Sequence, residues 1–93
     1  MNACKWNSMI RFNYIITDDL GIHARPAGLL IREVKKYRSM IVFSNGEKTS
    51  AGNKLFEIMK LEIKQADTLG VTVEGPDEEE AAAAIKQTLE AHL

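Results

Sequence analysis

One short segment of the sequence contains the residue types that chemistry on a phosphoryl group requires. His23 is followed closely by Arg25 and Pro26, at the point where a helix is predicted to begin. A histidine side chain can act as a nucleophile near neutral pH and hold a covalent intermediate. Arginine binds phosphate through charge-assisted hydrogen bonds, and the unpaired N–H groups of a helix start favour an anion. His23 is therefore a candidate phosphoryl acceptor; a histidine that only caps the helix or lies on the surface is the alternative.

Few other residues offer a nucleophile or a metal ligand of this kind. The sequence has one cysteine, Cys4, which cannot form an internal disulfide or build a zinc site. Because cysteine is used so sparingly, we expect a reducing, cytoplasmic setting in which Cys4 is an inert thiol. The second histidine, His92, is expected to be solvated, and two histidines alone cannot hold a metal ion.

Length and composition indicate one globular domain with no general attraction for nucleic acid or membranes. The 93 residues are 45% hydrophobic and 27% charged, which is ordinary for a folded chain. The 12 basic and 13 acidic residues give a net charge of −1, so only a local patch could select a charged partner. No apolar stretch is long enough to span a membrane as a helix. Residues 1–8 show neither periodicity nor a signal-peptide pattern, and we expect a flexible extension ahead of a single domain at 9–93.

The elements that must position His23 are predicted from hydrophobic periodicity. Alternation with period two predicts strands, and apolar residues at helical spacing predict helices. Four strands are predicted, at about residues 10–17, 40–44, 47–50 and 68–74. Three helices are predicted, one from about 24–26 to about 37–39, a short one after Asn53, and one opening at Asp77. The order βαββαβα in a short chain indicates a two-layer α+β fold with helices on one face of the sheet.

Local signals predict where several of these elements start or turn. Pro26 is expected in the first turn of the first helix, where its missing N–H costs nothing. Asn45-Gly46 predicts a type I′ hairpin whose second strand lies at a sheet edge. Asn53 is predicted to cap the short helix. Asp77 and Glu80 are spaced as a capping box, so we interpret the acidic run at 77–80 as a helix start and not as a binding site.

The segment GIHARPAG, residues 21–28, resembles the active-site signature of the HPr phosphocarriers of the bacterial phosphoenolpyruvate:sugar phosphotransferase system. The resemblance extends from about Met9 to Leu93. Its later landmarks are the Asn45-Gly46 hairpin, the stretch 59–67, and Glu74-Gly75 before an acidic, alanine-rich helix. The predicted element order matches the open-faced β-sandwich of that family, a four-stranded antiparallel sheet covered on one face by three helices.

The resemblance implies a phosphocarrier that needs no metal and no cofactor. Enzyme I would give its phosphoryl group to Nδ1 of His23, and His23 would pass it to the IIA domain of a sugar transporter. Arg25 and the backbone N–H of Ala24 would bind the phosphoryl group, and Pro26 would fix the helix start. Such a protein is a phosphoryl-transfer intermediate, expected to act as a cytoplasmic monomer. The alternatives are a regulatory adaptor of the same family that uses His23 as a switch, and a small binding domain with a capping histidine.

The short helix matches, by the same resemblance, the surface that docks enzyme I and IIA domains. The residues at the matching positions are Leu55, Phe56 and Met59. A small exposed apolar patch beside a reactive residue is suited to transient docking, whereas the alternative is that Leu55 and Met59 face the core. We expect Ile58 and Leu55 to point inward, and Phe56 and Met59 to point outward.

Several residues depart from the pattern of the family. In members from Gram-positive bacteria a regulatory serine opens the short helix, whereas the ungapped alignment places Lys54 at that position. Phosphorylation there is excluded by residue type, which argues against a co-regulator role. Leu20 replaces a small polar residue, and Glu57 and Glu62 are expected to add two carboxylates to the docking helix, which would alter the choice of partner.

Overall fold

The computed structural model describes residues 9–93, in which the elements follow the predicted βαββαβα order. The strands are β1 (Ile10–Ile15), β2 (Met40–Asn45), β3 (Lys48–Ala51) and β4 (Thr68–Glu74). The helices are α1 (Ala24–Val34), α2 (Leu55–Lys60) and α3 (Glu78–His92). Residues 1–8, which include Cys4, lie outside the described residues. The sequence predicts a flexible extension for them. No helix of the described part is long and apolar enough to cross a membrane.

The four strands form one antiparallel sheet in the order β1-β4-β2-β3. β3 lies at an edge, as its short and polar sequence predicts. Along β4 the side chains of Leu69, Val71 and Val73 are buried while their neighbours are partly exposed. This alternation buries one face of the sheet under the helices and leaves the other face open, which confirms the predicted α+β architecture.

The core lies between that buried face and the apolar stripes of the helices. Phe43 from β2 is completely buried, and so are Leu30 of α1 and Leu89 of α3. Burial of one such side chain contributes roughly 1.5–3 kcal/mol to the free energy of folding. Because α1 supplies Ala27, Leu30 and Val34 to this core, packing fixes the rotation of the helix that begins beside His23.

Helix α1 ends at Val34, several residues before the end at 37–39 that its periodicity predicts. The N–H groups of Lys36 and Tyr37 donate to the carbonyl oxygens of Glu33 and Val34, each three residues earlier, at 3.0 and 3.2 Å. Bonds of this spacing form a tighter, 3₁₀-type turn that closes the helix. The apolar pattern continues through this turn because Tyr37 packs against the core from outside the helix.

The β2–β3 hairpin differs by one residue from the predicted type I′ turn. Asn45 pairs with Lys48, so the loop residues are Gly46 and Glu47. Of these two, only Gly46 has a positive φ, +66°, which matches a type II′ turn, whereas type I′ requires two positive values. The side chain of Asn45 instead donates to the carbonyl oxygen of Leu61 at 2.9 Å, a tertiary bond that the local sequence pattern does not reveal.

The predicted cap of α2 is also wrong by one residue. Lys54 is the N-cap residue, with extended backbone angles and no capping side chain, and Asn53 precedes it. The N–H of Gly52 donates to the carbonyl oxygen of Ile41 at 2.8 Å. This bond holds the chain against β2, and the extended backbone continues to Lys54 before α2 begins.

Asp77 does not form the predicted capping box with Glu80. It is the N-cap residue of α3, but its side chain makes no capping hydrogen bond. Its carboxylate accepts hydrogen bonds from the backbone N–H of Arg38 at 2.9 Å, the N–H of Ser39 at 2.9 Å and the hydroxyl of Ser39 at 2.5 Å. Asp77 therefore ties the start of α3 to the connection between α1 and β2.

These bonds predict an acid-dependent contribution of Asp77 to stability. The hydroxyl of Ser39, and then the N–H of Arg38, hold the pKa of Asp77 below its ordinary value of 3.8. A lowered pKa stabilises the folded state above the ordinary value, and that stabilisation is lost as pH falls through the lowered one. We expect Asp77→Asn to reduce the free energy of unfolding at pH 7 and to weaken its fall in acid, measured by urea unfolding across pH. Glu79→Gln, on the same turn but exposed, is the control; equal behaviour of the two variants would contradict the prediction.

Candidate functional site

His23 occupies the N-cap position of α1, at the end of the connection from β1. Its backbone is extended, with φ −119° and ψ −171°, and its carbonyl oxygen accepts the first helical hydrogen bond, from the N–H of Ala27 at 3.0 Å. The imidazole makes no capping bond to its own helix, and the side chain is 39% exposed. His23 therefore meets solvent at the positive end of the helix dipole.

The backbone N–H groups next to His23 are available to an anion. Among residues 9–93, no hydrogen-bond acceptor contacts the N–H of Ala24 or of Arg25. These groups precede the first helical bond and project from the helix start, where an anion binds favourably. Pro26 follows them, buried and without an N–H to satisfy. The arrangement offers two donors and a partial positive charge beside the imidazole.

Arg25 adds a formal positive charge to this helix start. Its side chain is exposed, and within the described region no carboxylate lies within ion-pair distance of its guanidinium. An arginine without such a partner can turn toward a phosphoryl group and bind it with two parallel hydrogen bonds. The structure thus brings His23, Ala24, Arg25 and Pro26 together as consecutive residues of one helix start, as the sequence predicts.

The loop that presents His23 is held by the connection between α2 and β4. The N–H of Ile22 donates to the carbonyl oxygen of Ile63 at 3.0 Å. At the other end of the loop, the N–H of Ile16 donates to Asp67 at 3.0 Å and the carbonyl oxygen of Ile16 accepts from Ala66 at 2.8 Å. Ile16, Ile22 and Ile63 are buried. Hydrogen bonds and burial at both ends therefore fix the loop next to the imidazole.

Gly21 is the residue that lets these two connections approach closely. Its φ is +67°, a conformation that costs little only for glycine. A Cβ at this position would collide with the carbonyl oxygen of Ile63 and lie 2.7 Å from Cα of Lys64. The glycine of the signature is therefore required by the backbone contact that holds the loop.

A carboxylate that the sequence analysis did not single out lies beside the imidazole. Oδ2 of Asp18 is 3.9 Å from Nε2 of His23. The same oxygen accepts a hydrogen bond from the N–H of Leu20 at 3.0 Å. An aspartate that accepts a hydrogen bond from the N–H two residues later forms an Asx turn. In the sequence, the signal for this carboxylate is an aspartate in the turn just before the candidate histidine.

Helix α2 exposes the side chains that the resemblance assigns to docking. Phe56 is 76% exposed and Met59 38%, whereas Ile58 is buried at 1% exposure and packs in the core. Leu55 is partly buried against the core. This division agrees with the expected inward and outward faces. We call the exposed side chains of Phe56 and Met59, with the partly buried Leu55, the α2 surface; α2 packs beside α1.

The residues that depart from the family pattern have different positions around α2. Glu57 is on the helix, where its carboxylate lies 3.8 Å from Nζ of Lys54. Glu62 is not on the helix, which ends at Lys60, and the expectation that it adds a carboxylate there is wrong. Its φ of +53° places it in the left-handed region, and its carboxylate lies 3.3 Å from Nζ of Lys48. Leu20 is 73% exposed, close to His23 in the sequence.

His92 stays apart from this site, exposed at the end of α3. In the part of the chain that the structure describes, no group of three or more His, Cys, Asp or Glu side chains could hold a metal ion. The groups that the described site itself offers are an imidazole, backbone N–H donors and the charges of Arg25 and Asp18.

Comparisons with known proteins give a consistent result. Residues 10–91 match the family model described as the PTS HPr component phosphorylation site. The phosphocarrier protein HPr of Mycoplasma capricolum is 37% identical over 81 residues, covering 87% of this chain and 91% of that protein. HPr of Mycoplasma pneumoniae is 38% identical over 85 residues, covering 90% and 97%. The solved structure of a histidine-containing phosphocarrier protein from Mycoplasma superimposes with a TM-score of 0.85 at 35% identity, covering 88% of this chain and 93% of that one.

The contact at Gly21 yields a prediction with an internal control. Gly21→Ala forces a Cβ into the backbone at Ile63, and we expect it to lower the free energy of unfolding by about 2–4 kcal/mol. Gly28→Ala, within α1 and with nothing within 4 Å of its added Cβ, is expected to raise the free energy of unfolding by roughly 0.5–1 kcal/mol. Urea unfolding measures both. A Gly21→Ala variant as stable as the parent would show that the loop contact is dispensable.

Proposed function

The chain belongs to the HPr family of phosphocarriers of the phosphotransferase system, and on that premise we propose that His23 is the residue that carries the phosphoryl group. The observation that supports this most strongly is the position of His23 at the start of α1, beside the N–H groups of Ala24 and Arg25. A dianionic phosphoryl group on the imidazole would meet these donors and the guanidinium of Arg25. Pro26 contributes by fixing the helix start without adding an unsatisfied N–H.

The proposed reaction is a reversible relay between two histidines and an onward acceptor. The lone pair of Nδ1 of His23 attacks phosphorus on the phosphohistidine of enzyme I, and the donor N–P bond breaks with its electron pair returning to the donor nitrogen. His23 then gives the phosphoryl group to the IIA domain of a sugar transporter by the same displacement. The N–P bond stays reactive, which suits a reversible relay and not hydrolysis.

The α2 surface is the proposed docking site for enzyme I and for IIA domains. It presents exposed apolar area from Phe56 and Met59 on a helix that packs beside the helix of His23. Transient interfaces use small apolar patches of this kind, and the flexible side chain of methionine adapts to more than one partner. Because docking needs both the α2 surface and His23 open to a partner, we propose that the chain acts as a monomer. Its sparing use of cysteine supports a cytoplasmic setting.

Lys54 bears on the choice between relay and a regulatory adaptor. It is the N-cap residue of α2, exposed, with an amino group 3.8 Å from the carboxylate of Glu57. Lys54 has no hydroxyl group for a serine kinase to phosphorylate, and its positive charge is opposite to that of a phosphoserine. The presence of His23 together with Arg25 favours relay, since an adaptor that had given up relay would be free to lose the histidine.

The proposal predicts which histidine becomes phosphorylated. Incubation with phosphoenolpyruvate and purified enzyme I is expected to add one acid-labile phosphoryl group, read by intact mass. His23→Ala should abolish the adduct and leave the fold intact, because His23 makes no capping bond and is partly exposed. Arg25→Ala should still form the adduct, at a rate lowered roughly tenfold by loss of a charge-assisted contact.

His92→Ala is the matched control, since it removes the other histidine, at the end of α3. It should be phosphorylated at the rate of the parent chain. An adduct that survives in His23→Ala, or disappears in His92→Ala, would remove His23 from the proposed role.

A second prediction separates docking from stability within α2. Phe56→Ala is expected to raise the KM for phosphorylation by enzyme I by about three- to tenfold, because it truncates an exposed aromatic contact. Its free energy of unfolding should change by less than about 0.5 kcal/mol. Ile58→Ala, in the same turn but buried, should instead lose about 2–5 kcal/mol of stability. A Phe56→Ala variant with unchanged KM would contradict docking through this residue.

A further inference from the structure

We propose that Asp18 is a positioning residue for phosphoryl transfer at His23: its carboxylate holds the ring proton on Nε2 and stabilises the positive charge that the imidazole acquires when Nδ1 is phosphorylated. This inference rests on the proposed function and adds a residue to it. Its geometric basis is the distance of 3.9 Å between Oδ2 of Asp18 and Nε2 of His23.

The position of the Asp18 carboxylate is set by the loop. Its Oδ2 accepts a hydrogen bond from the N–H of Leu20 at 3.0 Å. The backbone N–H of Asp18 donates to the main-chain oxygen of Leu93 at 3.0 Å. The carbonyl oxygen of Asp18 accepts a hydrogen bond from the N–H of Gly21 at 3.1 Å. These three bonds fix one carboxylate oxygen toward His23. The gap of 3.9 Å is an ion-pair distance, and a bridging water or a small rotation of the ring would complete a hydrogen bond.

A carboxylate beside one ring nitrogen decides which nitrogen carries the proton. A neutral imidazole has one N–H donor and one bare nitrogen that can act as a nucleophile. Because the described ion pairs of His23 involve Nε2 and Asp18 alone, the electrostatic field favours the proton on Nε2. Nδ1 then keeps its lone pair, which is the form that attacks phosphorus.

The same carboxylate matches the change in charge during the reaction. When the Nδ1 lone pair forms the bond to phosphorus, Nε2 keeps its proton and the ring passes from neutral to positive. When the phosphoryl group leaves, the N–P electron pair returns to Nδ1 and the ring is neutral again. No proton enters or leaves in either direction. The negative charge of Asp18 therefore stabilises the positive ring of the phosphorylated state relative to the neutral ring, and with it the transition state for phosphorylation, as an aspartate stabilises a catalytic histidine when it becomes positive.

The neighbouring aspartate provides a matched control. Asp19 is in the same loop and carries the same charge, but its Oδ1 accepts a hydrogen bond from the side chain of Gln65 at 3.2 Å. It forms no ion pair with His23 in the part of the chain that the structure describes. Asp19→Asn and Asp18→Asn therefore change the net charge of the chain and the charge of this loop equally. Only Asp18→Asn removes the charge that faces Nε2. An asparagine at 18 still accepts the N–H of Leu20 and preserves the loop.

The test has a kinetic and a spectroscopic measurement. We expect Asp18→Asn to slow phosphorylation by enzyme I roughly fivefold relative to Asp19→Asn, the size expected for one partly solvated charge at this distance. Nitrogen-15 chemical shifts of the imidazole, read where the ring is neutral, should show a larger share of protonated Nδ1 in Asp18→Asn than in Asp19→Asn. A residue that only supported the loop would not move this tautomer ratio.

Equal phosphorylation rates in the two variants, or an unchanged tautomer ratio, would overturn the assignment. Failure of the proposed function is recognised separately, because the parent chain would then accept no phosphoryl group at all. Measuring the tautomer ratio requires no phosphoryl donor. It therefore tests the action of Asp18 on His23 whether or not the chain accepts a phosphoryl group.

Discussion

The hydrogen bond from the N–H of Ile22 to the carbonyl oxygen of Ile63 anchors the loop that ends at His23. It joins the loop before α1 to the loop after α2, and it forms only because Gly21 leaves room for the backbone to approach. Once this contact is made, His23 must stand at the start of α1, whose rotation is set by Ala27 and Leu30 in the core. The imidazole and the N–H groups beside it take their positions from this helix start. The Asp18 carboxylate is placed by the Asx turn with Leu20 in the same loop.

The exposed donors and charges of the site lie outside the core that stabilises the fold. Two N–H groups at the start of α1 and the guanidinium of Arg25 have no partner among the described residues, which costs little because they are exposed and water satisfies them. The same groups would be costly in the interior. Stability comes instead from side chains such as Phe43 and Leu89, buried between the sheet and the helices, and from the tie between Asp77 and the α1–β2 connection.

The sequence predicts the order and type of most elements because they are amphipathic over their own length, and it predicts the short, polar β3 from the Asn45-Gly46 turn before it. Val71 and Val73 alternate as a half-buried strand requires, and Ala27 and Leu30 recur at helical spacing. The errors arise where a side chain is engaged by a distant part of the chain. Asp77 has the spacing of a cap, yet its carboxylate bonds to the connection before β2. Asn45 has the local preference for a turn centre, yet its amide donates to Leu61.

The candidate site was predictable to the extent that it is contiguous in sequence. His23 and Arg25 are neighbours on one helix start, so residue type and spacing were sufficient. The relation of Asp18 to the imidazole does not follow from spacing, because it depends on the Asx turn with Leu20, which brings together residues five positions apart along the chain. Glu62 was assigned to α2 because its spacing fits the helix, whereas the chain leaves the helix after Lys60 and enters the left-handed region at Glu62.

In the proposed reaction, the loop and helix α1 direct one ring nitrogen of His23 to the phosphoryl group. The most direct test is long-range proton–nitrogen NMR on the chain after phosphorylation by enzyme I, with the phosphorus coupling assigned to a nitrogen. We expect phosphorus on Nδ1 and a proton on Nε2, the nitrogen that lies beside Asp18. Phosphorus on Nε2, or on any residue other than His23, would contradict it.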